Sequence, residues 1–227
     1  MRSFSTGARS FHAFALRDPM HLFARALQAM ELDLSSVMAC YRCVVLRQSK
    51  DINVQFDPKA VRRSRWESFI FEHPVLINMA LLIAVRHRLQ LSQKEHSPRS
   101  QSCILSLEQS QIRRINDALS DSNHCIDDHV LVAVALYAAY EAKHGTRSKS
   151  TVHLTGLAEM IKLRKGLATI GRQDRYVEEI LVWMITNVLE LHHAQHRAVK
   201  QVLAESSLAC IQPNLSVFKT KADSSES

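Results

Sequence analysis

Apolar residues recur at three- and four-residue spacings along most of this chain, the period of amphipathic helices rather than of strands. Asp18-Pro19 predicts a helix start, and Leu22, Phe23, Ala26 and Met30 follow in register. Ser35 or Ser36 is positioned to cap a second helix carrying Val37, Tyr41, Val44 and Val45. Residues 51–58 form a connector, and residues 62–71 a short helix or turn containing Trp66. Pro74 opens a helix bearing Leu76, Met79, Ala80, Ile83 and Leu89, with Arg86, His87 and Arg88 at its negative end. The polar stretch from Ser92 to Ser102, containing Pro98, predicts a loop. In the next helix Leu105, Ile112, Ile115 and Leu119 form the expected buried face, with Glu108, Arg113, Arg114 and Asp117 on the wet side.

Asp127 is the expected N-cap for Val130–Tyr140, a valine-rich segment that its four alanines, its length and Gly145 turn toward helix. Leu154, Leu157, Ala158 and Ile161 give another core helix. Gly166 is expected to close it as a left-handed C-cap residue, with Leu167 folding back on Ile161. Asp174 then starts one long helix through Ile180, Met184, Val188, Leu191, Val199 and Leu203. The expectation is a single all-α domain of about seven or eight packed helices with disordered ends: residues 1–17 a flexible basic N-terminus, 18–205 the helical domain, and 206–227 a serine- and lysine-rich tail that frays. No internal repeat occurs, and no heptad is sustained for long enough to be a coiled coil.

Composition supports the helical reading. Five glycines and five prolines in 227 residues are too few for an architecture with a turn every ten residues or so. The two most apolar runs, Pro74–Val85 and Val130–Tyr140, fall short of the roughly 18 residues that span a membrane, so they are expected to be core helices. A net charge of +7 and pI of 9.3 suit an anionic partner. The cations are dispersed, however, without a long run or interleaved aromatics, and read as solvated helix surface. Five irregularly spaced cysteines imply a reducing compartment rather than a disulfide framework. The first 17 residues hold three arginines, three serines and no acid, a composition shared by mitochondrial presequences and by flexible basic termini.

Candidate chemistry is sparse. Cys40-Tyr-Arg-Cys43 lacks the second cysteine pair of a structural zinc site and the βαβ setting of a redox pair, and reads as two small residues on a helix. His192 and His196 have the spacing of two metal ligands on one helix face, but His193 stands where a zinc hydrolase carries its glutamate base. A solvated face is the reading. His153, at the start of a core helix, is a structural residue before it is a general base, since no nucleophile sits in a recognisable setting. The glycines never fall in a phosphate-binding spacing. No catalytic, cofactor-binding or metal residue is therefore expected.

The richest stretch runs from Gln111 to Gly171: Arg113-Arg-Ile-Asn-Asp-Ala-Leu-Ser-Asp121, then Asp128 ahead of Val-Ala-Val-Ala-Leu, then Glu141, then His153-Leu-Thr-Gly-Leu-Ala-Glu-Met-Ile-Lys-Leu-Arg-Lys-Gly-Leu167. With Trp66 and His73-Pro74 upstream, this order resembles the all-helical regulatory region of fungal-specific transcription factors, over about residues 60–205. The resemblance implies a nuclear, non-enzymatic regulator without a cofactor, whose partners are other proteins, either transcription machinery or a DNA-binding protein. Its motif residues here are Trp66, Asn116, Asp128, His153, Gly156, Leu157, Arg164 and Gly166, carried over as packing residues only. Two departures stand out. Lys165 replaces the first glycine of a Gly-Gly pair, and the binuclear zinc cluster of such factors is not matched, because Lys50 stands where its third cysteine would fall after Cys40-x-x-Cys43. Direct sequence-specific DNA binding is accordingly not expected. A mitochondrial location is the alternative that the N-terminal composition keeps open.

Overall fold

A computed structural model describes residues 23–33, 35–37, 39–41, 63–94, 96–191, 196–208 and 213. Among these residues there are ten helices and no strand, two or three helices more than the sequence spacing suggested. They are α1 (residues 23–29), α2 (helical at 35–37 and 39–41), α3 (Arg63–Phe71), α4 (Pro74–Leu91), α5 (Pro98–Ser120), α6 (Asp128–His144), α7 (Arg147–Leu163), α8 (Leu167–Gln173), α9 (Arg175–Leu191) and α10 (Arg197–Ala204). No described helix is long and apolar enough to cross a membrane. The Asp18-Pro19 start and the N-terminal 17 residues lie outside the described residues.

The core is built on α6 and α9. Every residue of α6 from Val130 to Glu141 is buried, as is α9 from Tyr176 to Ile185. A helix apolar all round must be covered all round, and α6 is packed against α4, α5, α7 and α9. This burial outweighs the small helix penalty of its valines. Around the pair, α8 and α10 cover α9, α10 also covers α7, and α3 leans on α4. Phe23, Leu27, Met30, Val37 and Tyr41 join α1 and α2 to the same core.

Several boundaries differ from the spacing-based expectation, each for a local reason. The second helix is capped by Asp33, whose carboxylate accepts from the Ser35 hydroxyl and, at 2.8 Å, from the Ser36 N–H. Pro98 begins α5 rather than sitting in a loop: Ser97 accepts from the Ser100 N–H at 3.1 Å, and proline follows at the first helical position. On α5 the buried residues are Ile104, Leu107, Gln111 and Ile115, while Leu105, Ile112 and Leu119 are 56%, 40% and 38% exposed. Only Ile115 of the predicted face is inside. Buried Gln111 fixes that choice, accepting from Asn78 Nδ2 at 2.9 Å and donating to the Val75 carbonyl at 3.2 Å, which ties α5 to α4.

The long C-terminal helix is two helices. α9 ends at Leu191, and His196 is extended (φ −89°, ψ 92°) where α10 starts. At the start of the expected tail, Ser206, Ser207 and the half-buried Leu208 are docked on α9. Glu178, fully buried, accepts from the Ser206 hydroxyl (2.8 Å), the Ser207 N–H (2.8 Å) and the Ser207 hydroxyl (2.8 Å to Oε2). Gly171 leaves room for that carboxylate, since a Cβ there would lie 1.8 Å from Oε2.

Candidate functional site

The motif residues converge on the two ends of α7. At its C-terminal end the chain forms a Schellman turn: the Gly166 N–H reaches the Ile161 carbonyl (2.9 Å) and the Lys165 N–H the Lys162 carbonyl (2.8 Å). Lys165, not Gly166, is the left-handed residue (φ +62°). Gly166 also has positive φ, but with extended ψ (φ +90°, ψ 165°), a region open essentially to glycine alone. Both positions thus favour glycine, which accounts for the Gly-Gly pair of the resemblance and makes Lys165 the strained member. Leu167 and Ile161 are both fully buried beside this turn.

Arg164 caps the same end and braces it against α6 and α8. Its Nη1 lies 2.9 Å from Asp128 Oδ1 and donates to the Ile126 carbonyl at 2.7 Å, while Nη2 donates to Gln173 Oε1 at 2.5 Å. The guanidinium is aimed at the carbonyl rather than along the carboxylate lone pair, so Asp128 contributes charge at the N-terminus of α6 more than an aligned bond. Asp127 occupies the N-cap position, but its side chain turns to His124 Nδ1 at 2.8 Å, which holds the His124 pKa up.

At the N-terminal end of α7, Thr146 caps the helix by accepting from the Lys149 N–H at 3.2 Å, and the Ser150 hydroxyl reaches the Ala138 carbonyl of α6 at 3.0 Å. His153 stands half-buried with its ring edge-on to Tyr137 (centroids 4.8 Å, 87°), and burial, then Lys149, lowers its pKa. Glu141, on the same helix as Tyr137, is buried beside the turn that leads into α7. Burial pushes its carboxyl upward, and Gly145 has no side chain because Glu141 fills that space, 1.7 Å from where a Cβ would stand. One helix turn away, the Tyr140 hydroxyl donates to Glu108 of α5 at 2.6 Å. That bond ties α6 to α5, and burial raises the pKa values of both Tyr137 and Tyr140.

The remaining motif residues do not join these clusters. Leu157 is core. Asn116 is exposed on α5, its carbonyl accepting from Ser120 at 2.8 Å. Gly156 is exposed on α7 with nothing within 4 Å of a built Cβ, so no close approach requires it. Trp66 belongs to α3, and its side chain lies outside the described part.

The candidate reactive groups find structural employment. His196 Nε2 lies 3.1 Å from Thr155 Oγ1, a histidine–hydroxyl pair on its face. The Thr155 hydrogen, however, is directed to the Thr151 carbonyl at 2.8 Å, so His196 is the donor to that oxygen and activates nothing. His192, His193, Cys43 and Cys210 lie outside the described residues, while Cys40 is buried. His196 is extended at the N-cap of α10 rather than inside a helix. Among the described residues no three His, Cys, Asp or Glu side chains converge as metal ligands. A different histidine pair, invisible to spacing, does meet: His73 at the start of α4 stacks on His129 of α6, centroids 4.0 Å apart and 5° from parallel.

What the geometry assembles is a helical scaffold whose motif residues cap, brace and pack. No curated protein and no solved structure matches the chain. The family described as fungal specific transcription factor domain matches residues 57–194, a span that takes in α3 through α9 and well over half of the sequence. This chain belongs to the fungal specific transcription factor domain family.

Proposed function

We propose that the protein is a non-enzymatic module of transcription regulation that works in the nucleus by binding other proteins, either transcription machinery or a DNA-binding partner. The observation that carries this reading is the family match across α3–α9. Within that span Asp128 and Arg164 brace α6, α7 and α8, and His153 packs on Tyr137. The sequence supports action through proteins, since five cysteines at positions 40, 43, 103, 125 and 210 do not make the Zn2Cys6 set that reads DNA in such factors. It takes no cofactor or metal in this role.

Selection of duplex DNA from a randomised pool, at low and at physiological salt, tests the claim about DNA. The expected outcome is weak binding that is lost with salt and enriches no sequence, because the dispersed cations supply only the phosphate-directed component. Enrichment of a defined site that survives physiological salt would overturn it.

A further inference from the structure

Helix α5 turns an ordered apolar seam to solvent. Leu105, Ile112 and Leu119 are among the few large hydrophobic residues exposed in the described structure, and they stand seven residues apart over about 21 Å of helix. The residues between them on the same face are Ser102, Gln109 and Asn116, all exposed. From 102 to 119 the spacing is thus three, four, three, four, three, the alternation of a and d positions in a coiled coil, with leucine and isoleucine at d and small or amide side chains at a. No charge lies on the seam. A solvated helix face of this length normally carries several, whereas depletion of charge marks the centre of an interface.

The flanks carry the complementary charges. With Leu105 at d, Glu108 falls at g and Arg113 at e, and Arg113 follows Glu108 by five residues. In a parallel two-stranded pair a g residue faces the e residue five positions on in the other strand, so Glu108 of one copy meets Arg113 of the other, twice across the two-fold axis. Glu108 is half-buried, with Oε1 taken by Tyr140, and Arg113 is exposed, contacting only the Gln109 carbonyl at 3.4 Å. Asn116 at an a position would pair with its own copy and fix the register.

We infer that the exposed face of α5 docks in parallel against the same face of a second copy of this chain, forming a two-fold symmetric dimer through Leu105, Ile112 and Leu119. The two and a half heptads are too few to hold an isolated coiled coil, but here the helix is already built and its other face is anchored by Gln111 and Ile115, so association need not also order the helix. This inference does not depend on the nuclear reading above.

Sedimentation of the full chain across micromolar concentrations tests it, with Ile112→Glu and Leu105→Glu as variants. Both positions are exposed, so the monomer is expected to keep its helical circular dichroism and melting temperature. The expected result is a concentration-dependent dimer, weakened at least about tenfold by either variant, since two carboxylates would be buried face to face. Arg113→Glu should weaken it less, by setting glutamate against Glu108. Orientation is read from Leu119→Cys under mild oxidation beside the parent chain. In a parallel pair the two thiols face each other and a new disulfide-linked dimer forms. A chain that stays monomeric, or a dimer indifferent to Ile112→Glu and Leu105→Glu, would remove the inference. A dimer cross-linked by Ile112→Cys but not by Leu119→Cys would replace the parallel arrangement with an antiparallel one.

Discussion

At the scale of single residues, five positions have consequences that stability measurements can read. Lys165 sits at φ +62°, where an L side chain costs about 1 kcal/mol, so Lys165→Gly should raise stability by about that amount in urea unfolding. Gly166→Val should lower it by at least about 2 kcal/mol, because its φ and ψ suit glycine alone. Equal effects at the two positions would contradict the division of roles in this turn. Gly156, exposed with open space around it, should accept alanine with a gain of up to about 1 kcal/mol. Gly171→Ala should do the reverse, by about 1–3 kcal/mol, since the new methyl displaces the buried carboxylate that holds Ser206 and Ser207. His129 supplies a pH dependence. Burial, then His73, holds its pKa down at about 4, below the ordinary 6.5. As pH falls, the unfolded chain takes up this proton first, so stability declines from about pH 6.5 and levels off below about 4. Half-buried His153 adds in the same direction, and exposed His124, held up by Asp127, opposes it. Comparing melting temperatures of the parent and His129→Phe at pH 7 and pH 4.5 should show a smaller acid loss in the variant.

At the scale of elements, what the sequence made legible was periodicity, and what it hid was the choice between competing faces. The helices at Pro74, Val130, Leu154 and Asp174 follow directly from apolar spacing and caps, and they are present. On α5 two apolar stripes run along one helix, Ile104–Leu107–Ile115 and Leu105–Ile112–Leu119, and spacing alone cannot rank them. The buried stripe is the one whose polar member, Gln111, finds partners on α4, a fact that belongs to tertiary structure. The seam left outside looks like core in sequence for the reason that suits it to a second chain. The break between α9 and α10 was unreadable for a similar reason, since Val199 and Val202 continue the apolar pattern but cover α7 and α9 from a separate helix. Of the motif residues, Asp128 and Arg164 were recognisable as a pair only once α7 and α6 lay side by side. Arg164→Ala should cost about 2–3 kcal/mol, because it strips the Ile126 carbonyl and Gln173 of their donor and leaves Asp128 without its cation. A loss under 0.5 kcal/mol would reduce the brace to a surface contact.

At the scale of the whole molecule, the buried polar groups serve architecture. Glu178 fastens the segment after α10, Tyr140 and Glu108 join α6 to α5, and Gln111 fastens α5 to α4. The family match associates this helical body with transcription regulation. The rival location rests on the composition of residues 1–17, three arginines and no acid. The most direct test of the central claim is where the protein resides in its native cell, with a tag placed after Ser227 so that the basic N-terminus stays free. The account predicts nuclear accumulation. Accumulation in mitochondria, together with loss of the first residues from the mature chain, would contradict it and leave the family relationship as a statement about fold alone.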